Sequence, residues 1–151
     1  MAYFYNTQEK LCYAYSYDAL NWTALNNGKP VFDAHVHLRD PFISRVKGIF
    51  DMVHTMGFDH PMIFHWESKD LIHWQGGPIT LVDSSRKRAW APEFYYYEPE
   101  HIFYVFWSSI LNGHNVIYYV TTKNWQDITP EKSALFYDLG IHNIYLTIVE
   151  Q

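Results

Sequence analysis

The chain has little that would tie it together covalently, draw it to a polyanion or seat it in a membrane. A single cysteine, Cys12, excludes an internal disulfide. Lying in a strand-like run, it reads as a small buried hydrophobe. Lys and Arg number 11 against 16 Asp and Glu, leaving a net charge of −5. The basic residues gather only at Arg86-Lys87-Arg88, which reads as a solvated loop, so nucleic acid is not an expected partner. No apolar run approaches the roughly 18 residues of a spanning helix, so no membrane partner is expected. No basic-then-apolar leader opens the chain, so no signal peptide is expected, and a cytoplasmic and a secreted location stay equally open. Amphipathic helical periodicity of useful length is missing too.

What the chain does have is aromatic residues. Its 151 residues include 13 Tyr, 10 Phe and 6 Trp, and 48% of them are hydrophobic. That much apolar surface excludes disorder and suits one aromatic-rich β domain with a real core. One pattern recurs. Ser16-Tyr17-Asp18-Ala19-Leu20-Asn21-Trp22 returns as Ser68-Lys69-Asp70-Leu71-Ile72-His73-Trp74, and more weakly as Thr122-Lys123-Asn124-Trp125. Asp18, Asp70 and Asn124 stand 52 and 54 residues apart. A period near fifty built from short strands means one repeated supersecondary unit. Four strands per period indicate a β-propeller. Within the motif, the Ser and Asp side chains close a tight turn by bonding backbone two residues on. The Trp is expected to pack between sheets.

Strand-like runs cover 3–5, 11–16, 42–45, 49–55, 62–68, 93–97, 102–107, 116–121 and 144–149. Turn-rich breaks fall at Asn26-Asn27-Gly28, Gly57-Phe58-Asp59, Gly76-Gly77-Pro78, Glu98-Pro99-Glu100 and Asn112-Gly113-His114. The expected organisation is one partial propeller of about three blades. Residues 38–82 and 90–137 are complete units, 1–33 are the outer strands of another, and 141–151 are one inner strand of a next or closing blade. Propellers usually close with about four to eight blades. The expected partners therefore include a further propeller half or copies of the same chain meeting at open edges.

Two segments begin the complete units, Leu38-Arg39-Asp40-Pro41-Phe42-Ile43 and Trp90-Ala91-Pro92-Glu93-Phe94. Each sets a carboxylate one residue from a proline, and Asp40 and Glu93 are 53 residues apart, one repeat. Proline belongs at a strand start because it cannot donate to the ladder. Both carboxylates are expected at the rim of a shared pit. Paired acids on rigid strands are what glycoside hydrolysis needs, one protonated and one ionised. The plainer alternative is an Arg39–Asp40 ion pair with Glu93 as a surface acid. Trp90, Phe42, Phe94 and Tyr95 are placed to build sugar subsites, since flat rings suit the apolar face of a sugar. His35-x-His37 lacks a third ligand at zinc-like spacing, so no metal is expected there.

Leu38-Arg39-Asp40-Pro41-Phe42-Ile43, Ser68-Lys69-Asp70-Leu71-Ile72-His73-Trp74, Trp90-Ala91-Pro92-Glu93 and Tyr118-Tyr119-Val120-Thr121-Thr122-Lys123, in that order, resemble glycoside hydrolase family 43. More broadly they resemble the five-bladed propeller glycosidases, which include family 32. The resemblance spans nearly the whole chain. It implies action on arabinose- or xylose-containing plant polysaccharides or oligosaccharides through a base or nucleophile, a middle Asp and a general acid. It implies Glu93 as the acid and Asp40 as the middle Asp. A second alignment makes Asp40 the base and Glu93 the residue that tunes its partner's pKa. Arg39, Trp90, Phe42, Phe94 and His142 are the implied substrate-binding residues. His142 stands where relatives carry an acid. No cofactor is expected, though the resemblance leaves room for calcium or a histidine near the axis, and His54 and His142 are the candidates it implies there. The alternative reading is a truncated, inactive propeller that binds carbohydrate or assembles into oligomers.

Overall fold

The computed structural model describes residues 1–83 and 88–148. Arg86 and Lys87 of the basic triplet and position 149 of the last expected strand lie outside the described residues. The described residues are all-β, with only short 3-10 turns, and form three antiparallel sheets. The first holds β1 (Ala2–Tyr3), β2 (Cys12–Tyr15) and β3 (Thr23–Ala24). The second is a meander of β4 (Arg39–Val46), β5 (Ile49–Thr55), β6 (Met62–Ser68) and β7 (Gln75–Thr80). The third repeats that order with β8 (Trp90–Tyr97), β9 (Ile102–Leu111), β10 (His114–Thr122) and β11 (Ala134–Tyr137).

Hairpin geometry follows from local sequence. Asn112-Gly113 joins β9 to β10 with φ of 51° and 85°, the two left-handed residues that let a tight turn match strand twist. The middle sheet buries both of its faces. From β5, Met52 enters a core with Leu11, Leu38 and Trp74, while Val53 enters another with Ile63, Phe94, Val105 and Trp107. A strand covered on both sides reads as a continuous apolar run, which is why 49–55 stands out in the sequence.

Two expectations about strands need correction. Gly76-Gly77-Pro78, read as a break, lies inside β7, where Pro78 pairs with Phe64. β7 is an edge strand, so proline's missing N–H is tolerated there. At Gly76 an added Cβ would lie 2.0 Å from the His65 carbonyl oxygen, so only glycine permits this approach. At the other end of the chain, residues 143–148 form no strand. The Asn143 N–H donates to Asn115 O at 2.8 Å and Ser108 Oγ donates to Asn143 O at 2.9 Å. These bonds hold that segment against β9 and β10, and among the described residues it has no ladder with β1–β3.

The repeated turns form as the motif requires. Asp18 Oδ1 accepts from the backbone N–H groups of Leu20 and Asn21 at 2.9 and 2.8 Å. Asp70 Oδ1 accepts from Ile72 and His73 at 2.9 and 2.8 Å. In the third copy Thr122 Oγ1 and Asn124 Oδ1 take the same kinds of bond. The tryptophans diverge. Trp74 packs beside Phe32 and Trp125 against His65, Phe94 and Phe103, both nearly buried. Trp22, expected to pack between sheets, is instead 46% exposed.

Candidate functional site

Both complete sheets open on a bulged strand. In β4, Arg39 pairs with Thr55 and Phe42 with Val53, so Asp40-Pro41 carries one extra residue. In β8, Trp90 pairs with Ser108 and Glu93 with Phe106, so Ala91-Pro92 does the same. Bulges re-aim side chains at a strand end. The residue before each proline is left-handed, with φ of 48° at Asp40 and 44° at Ala91. Aspartate tolerates that region through local hydrogen bonds, whereas at Ala91 it is strain held in place by its surroundings. The register also corrects the one-repeat equivalence of the carboxylates. Asp40 matches Ala91, and Glu93 matches Phe42. One acid precedes its proline and the other follows, so they do not occupy the same place in their units.

Thr55, at the end of β5, joins the two bulges. Its Oγ1 donates to Asp40 Oδ2 at 3.0 Å and accepts the Ala91 N–H at 2.8 Å. One buried hydroxyl thus fixes a carboxylate on one sheet and the strained backbone of the next. His54 beside it is locked. Its Nδ1–H donates to Thr55 O at 3.0 Å and its Nε2 accepts the Trp66 indole N–H at 3.0 Å. Burial pushes its pKa down to about 4, so the ring is neutral.

Asp40 lies in a cleft of about 240 Å³ lined by Arg39, Thr55, Gly57, Phe58, Trp90, Ile144 and Tyr145. The Trp90 indole N–H donates to Phe58 O at 2.6 Å, and the two rings sit 4.9 Å apart. The Arg88 guanidinium lies over both rings, 4.7 and 4.4 Å from their centroids, and its Nε donates to Asp59 at 3.0 Å. The loop after β5 is thereby folded onto the start of β8 and forms an aromatic wall. Arg39 does not pair with Asp40. Its Nη1 donates to Glu9 Oε1 at 3.2 Å, and its guanidinium lies 5.6 Å from the Phe4 ring.

Glu93 is half-buried, and Thr147 Oγ1 donates to its Oε1 at 3.1 Å. Desolvation raises its pKa above the ordinary 4.5, against the opposing pull of the Thr147 hydrogen bond. Residues 144–147 link the two acids, with Ile144 and Tyr145 in the Asp40 cleft and Thr147 on Glu93.

Arg39, Asp40 and Trp90 are thus brought together, with Glu93 further along β8. Other expected site residues go elsewhere. Phe94 is 5% exposed, packs edge-on to Phe42 at 5.1 Å and joins Phe103 and Trp125 in the core, so its ring has no free face for a sugar. Phe42 packs against the same core. His142 is exposed at the start of β10, where its Nδ1 accepts the Asn115 N–H at 3.1 Å. Calcium takes about six to eight oxygen ligands. Among the residues lining this cleft Asp40 is the one carboxylate, and both nitrogens of the neighbouring His54 are engaged, so the set does not fit that ion. Sequence reasoning missed Thr55, Phe58 and Tyr145. Phe58, in the Gly57-Phe58-Asp59 turn, offered a signal as an aromatic where polar residues are usual. Thr55 offered none.

A family model described as a probable glycosyl hydrolase domain, related to family 43, matches residues 1–151. No curated protein matches the chain. The match covers every residue, and the chain belongs to that family.

Proposed function

We propose that this family member hydrolyses glycosidic bonds in arabinose- or xylose-containing plant polysaccharides or oligosaccharides at the Asp40 cleft. In this reading the three sheets are blades of a five-bladed type of propeller, and their facing inner strands, β4 and β8, present the reacting groups. The sugar ring lies against Trp90, Phe58 and Tyr145, whose flat faces suit its C–H surface. Arg39 stands beside it to donate to hydroxyls. Glu93 is the general acid. Its proton passes to the leaving oxygen as the glycosidic bond breaks, and the electron pair of that bond stays with the leaving group. Water forms the new bond to the sugar carbon; Asp40, anchored by Thr55, either takes that water's proton or holds substrate and tunes Glu93, the proton then going to the third carboxylate that the resemblance implies.

The observation that carries this reading is Glu93's half-buried carboxyl, whose raised pKa keeps its proton to higher pH, on the strand that borders the Asp40 cleft. The test uses aryl arabinofuranoside and aryl xyloside with wild type and Glu93→Gln. Turnover that falls by about 10²–10⁴-fold in the variant supports the acid role. Turnover that survives the substitution removes Glu93 from it.

A second reading is a non-catalytic carbohydrate-binding or assembly module. Its support is the aromatic surface left open at both ends of the array. Tyr17 and Trp22 are 97% and 46% exposed on the first sheet side, and Leu135, Phe136 and Tyr137 are 46%, 47% and 46% exposed on the last strand. Such surface suits a further propeller half or a second copy of the chain. Oligosaccharide binding without turnover in either protein, together with a dimeric or larger mass in solution, favours it.

A further inference from the structure

Away from that cleft, the opposite ends of β5 and β6 carry a second set of converging groups. Asp51 pairs directly with Glu67 across the ladder, and His65 pairs with Val53 two residues along. Residues two apart on a strand share a face, so Asp51, His65 and Glu67 project together. One ligand atom from each lies within 4.8 Å of the others. The strand rise places them about 13 Å from Thr55 along β5. They belong to a different part of the molecule from the acids of the proposed hydrolysis.

The arrangement is costly for packing alone. Carboxylates directly opposite on neighbouring strands repel, and Asp51 is 4% exposed, which amplifies the effect of charge. The His65 ring is 7% exposed and sets its Nε2 2.8 Å from Asp51 Oδ1. Its other side stacks on Trp125 at 3.9 Å, with the planes within 10°. Trp125 is itself buried, and among the described residues its indole N–H has no hydrogen-bond partner. Glu67 is exposed and borders two open clefts between the sheets, of about 330 and 790 Å³, which also share Asn124 and Trp125. Lys47 and Lys123 line the smaller one. Two donors are therefore held on a rigid ladder, a third is free to swing, and solvent can reach the open side.

We propose that Asp51, His65 and Glu67 form a binding site for a first-row divalent cation. Two carboxylates and one neutral imidazole balance the charge of such an ion and match its preference for mixed oxygen and nitrogen ligands. Bonds of about 2.0–2.2 Å require the three atoms to close by roughly an ångström, which Glu67 supplies by rotating. Water fills the remaining positions from the cleft. The bound ion cross-links β5 to β6 and raises stability by mass action. The competing view is a purely structural Asp51–His65 hydrogen bond, with Glu67 incidental.

Mn²⁺ is the probe. Titrated into the full chain, it is expected to lose free-ion EPR amplitude to one site per chain, to show a nitrogen coupling from one imidazole, and to raise the unfolding temperature. Glu67→Gln keeps the side-chain shape at an exposed position, and its unfolding temperature without metal reports whether it folds. It is expected to weaken Mn²⁺ by at least about tenfold, while His37→Ala leaves binding unchanged. No uptake, uptake without the nitrogen coupling, or uptake unaltered in Glu67→Gln overturns the site. The nitrogen coupling is read on wild type, so a misfolded variant does not rescue the proposal.

Discussion

The turn at 16–22 and the turn at 68–74 are the same local structure with different outcomes. Both set a serine against an aspartate, and both aspartates accept backbone N–H groups two and three residues on, at matching distances. Yet Trp74 is 8% exposed beside Phe32, while Trp22 is 46% exposed. Trp74 leans on Phe32, from the segment that precedes the middle sheet, and Trp125 leans on His65 of the middle sheet, which precedes its own. Trp22 has no such sheet among the described residues. Turn chemistry is therefore local, and burial of the tryptophan is a property of the neighbour.

The largest expected effects break that comparison outright. Trp74→Ala and Trp125→Ala each remove a large side chain from a sheet-to-sheet core and should cost about 3–5 kcal/mol in chemical denaturation. Thr55→Val separates packing from hydrogen bonding at the interface of the middle and third sheets, where Trp125 also packs. It leaves the Ala91 N–H and Asp40 without their partner, and should cost about 1–3 kcal/mol. Trp22→Ala should change stability by no more than about 0.5 kcal/mol. A cost comparable to that of Trp74→Ala would mean that Trp22 is covered in solution, as the assembly reading requires.

The smallest effect tests the shared half of the comparison. Backbone and side-chain donors, Asn21 foremost for Asp18 and His73 for Asp70, hold both carboxyls well below the ordinary value of 3.8. A depressed carboxyl stabilises the fold above its unfolded pKa and loses that contribution as pH falls through the folded value. Asp18→Asn and Asp70→Asn should therefore flatten the loss of stability below about pH 4 to a similar degree, despite the difference at their tryptophans. Unequal flattening would show that the turns are not independent of what surrounds them. Glu93 carries the opposite sign. Its raised pKa favours the folded state as pH falls through it, and in turnover it should extend the acid form toward higher pH.

Much of the fold was legible because strands buried on both faces, such as β5 and β6, announce themselves as apolar runs with sharp ends. The outer strands were not. β3, β7 and β11 are short or glycine-rich, and ladder bonding to a neighbour defines them rather than their own residues. At the site, Arg39, Asp40 and Trp90 were readable because the prolines mark the bulges. Phe94 misled because an aromatic beside a catalytic candidate reads the same whether it faces a sugar or a core. On a strand that choice is set by register, and the bulge at Ala91-Pro92 shifts it. Thr55 was invisible for a different reason. Its role depends on Asp40 and Ala91 arriving from two other strands.

The central claim is that sugar binds at the Asp40 cleft rather than on the open aromatic faces. The six tryptophans provide indole N–H signals that can separate these places in a titration of the isotope-labelled chain with arabino- and xylo-oligosaccharides. Saturable movement of the Trp90 signal with Trp22 unmoved is the predicted result. Movement of Trp22 with Trp90 stationary, or no movement at Trp90, would contradict it.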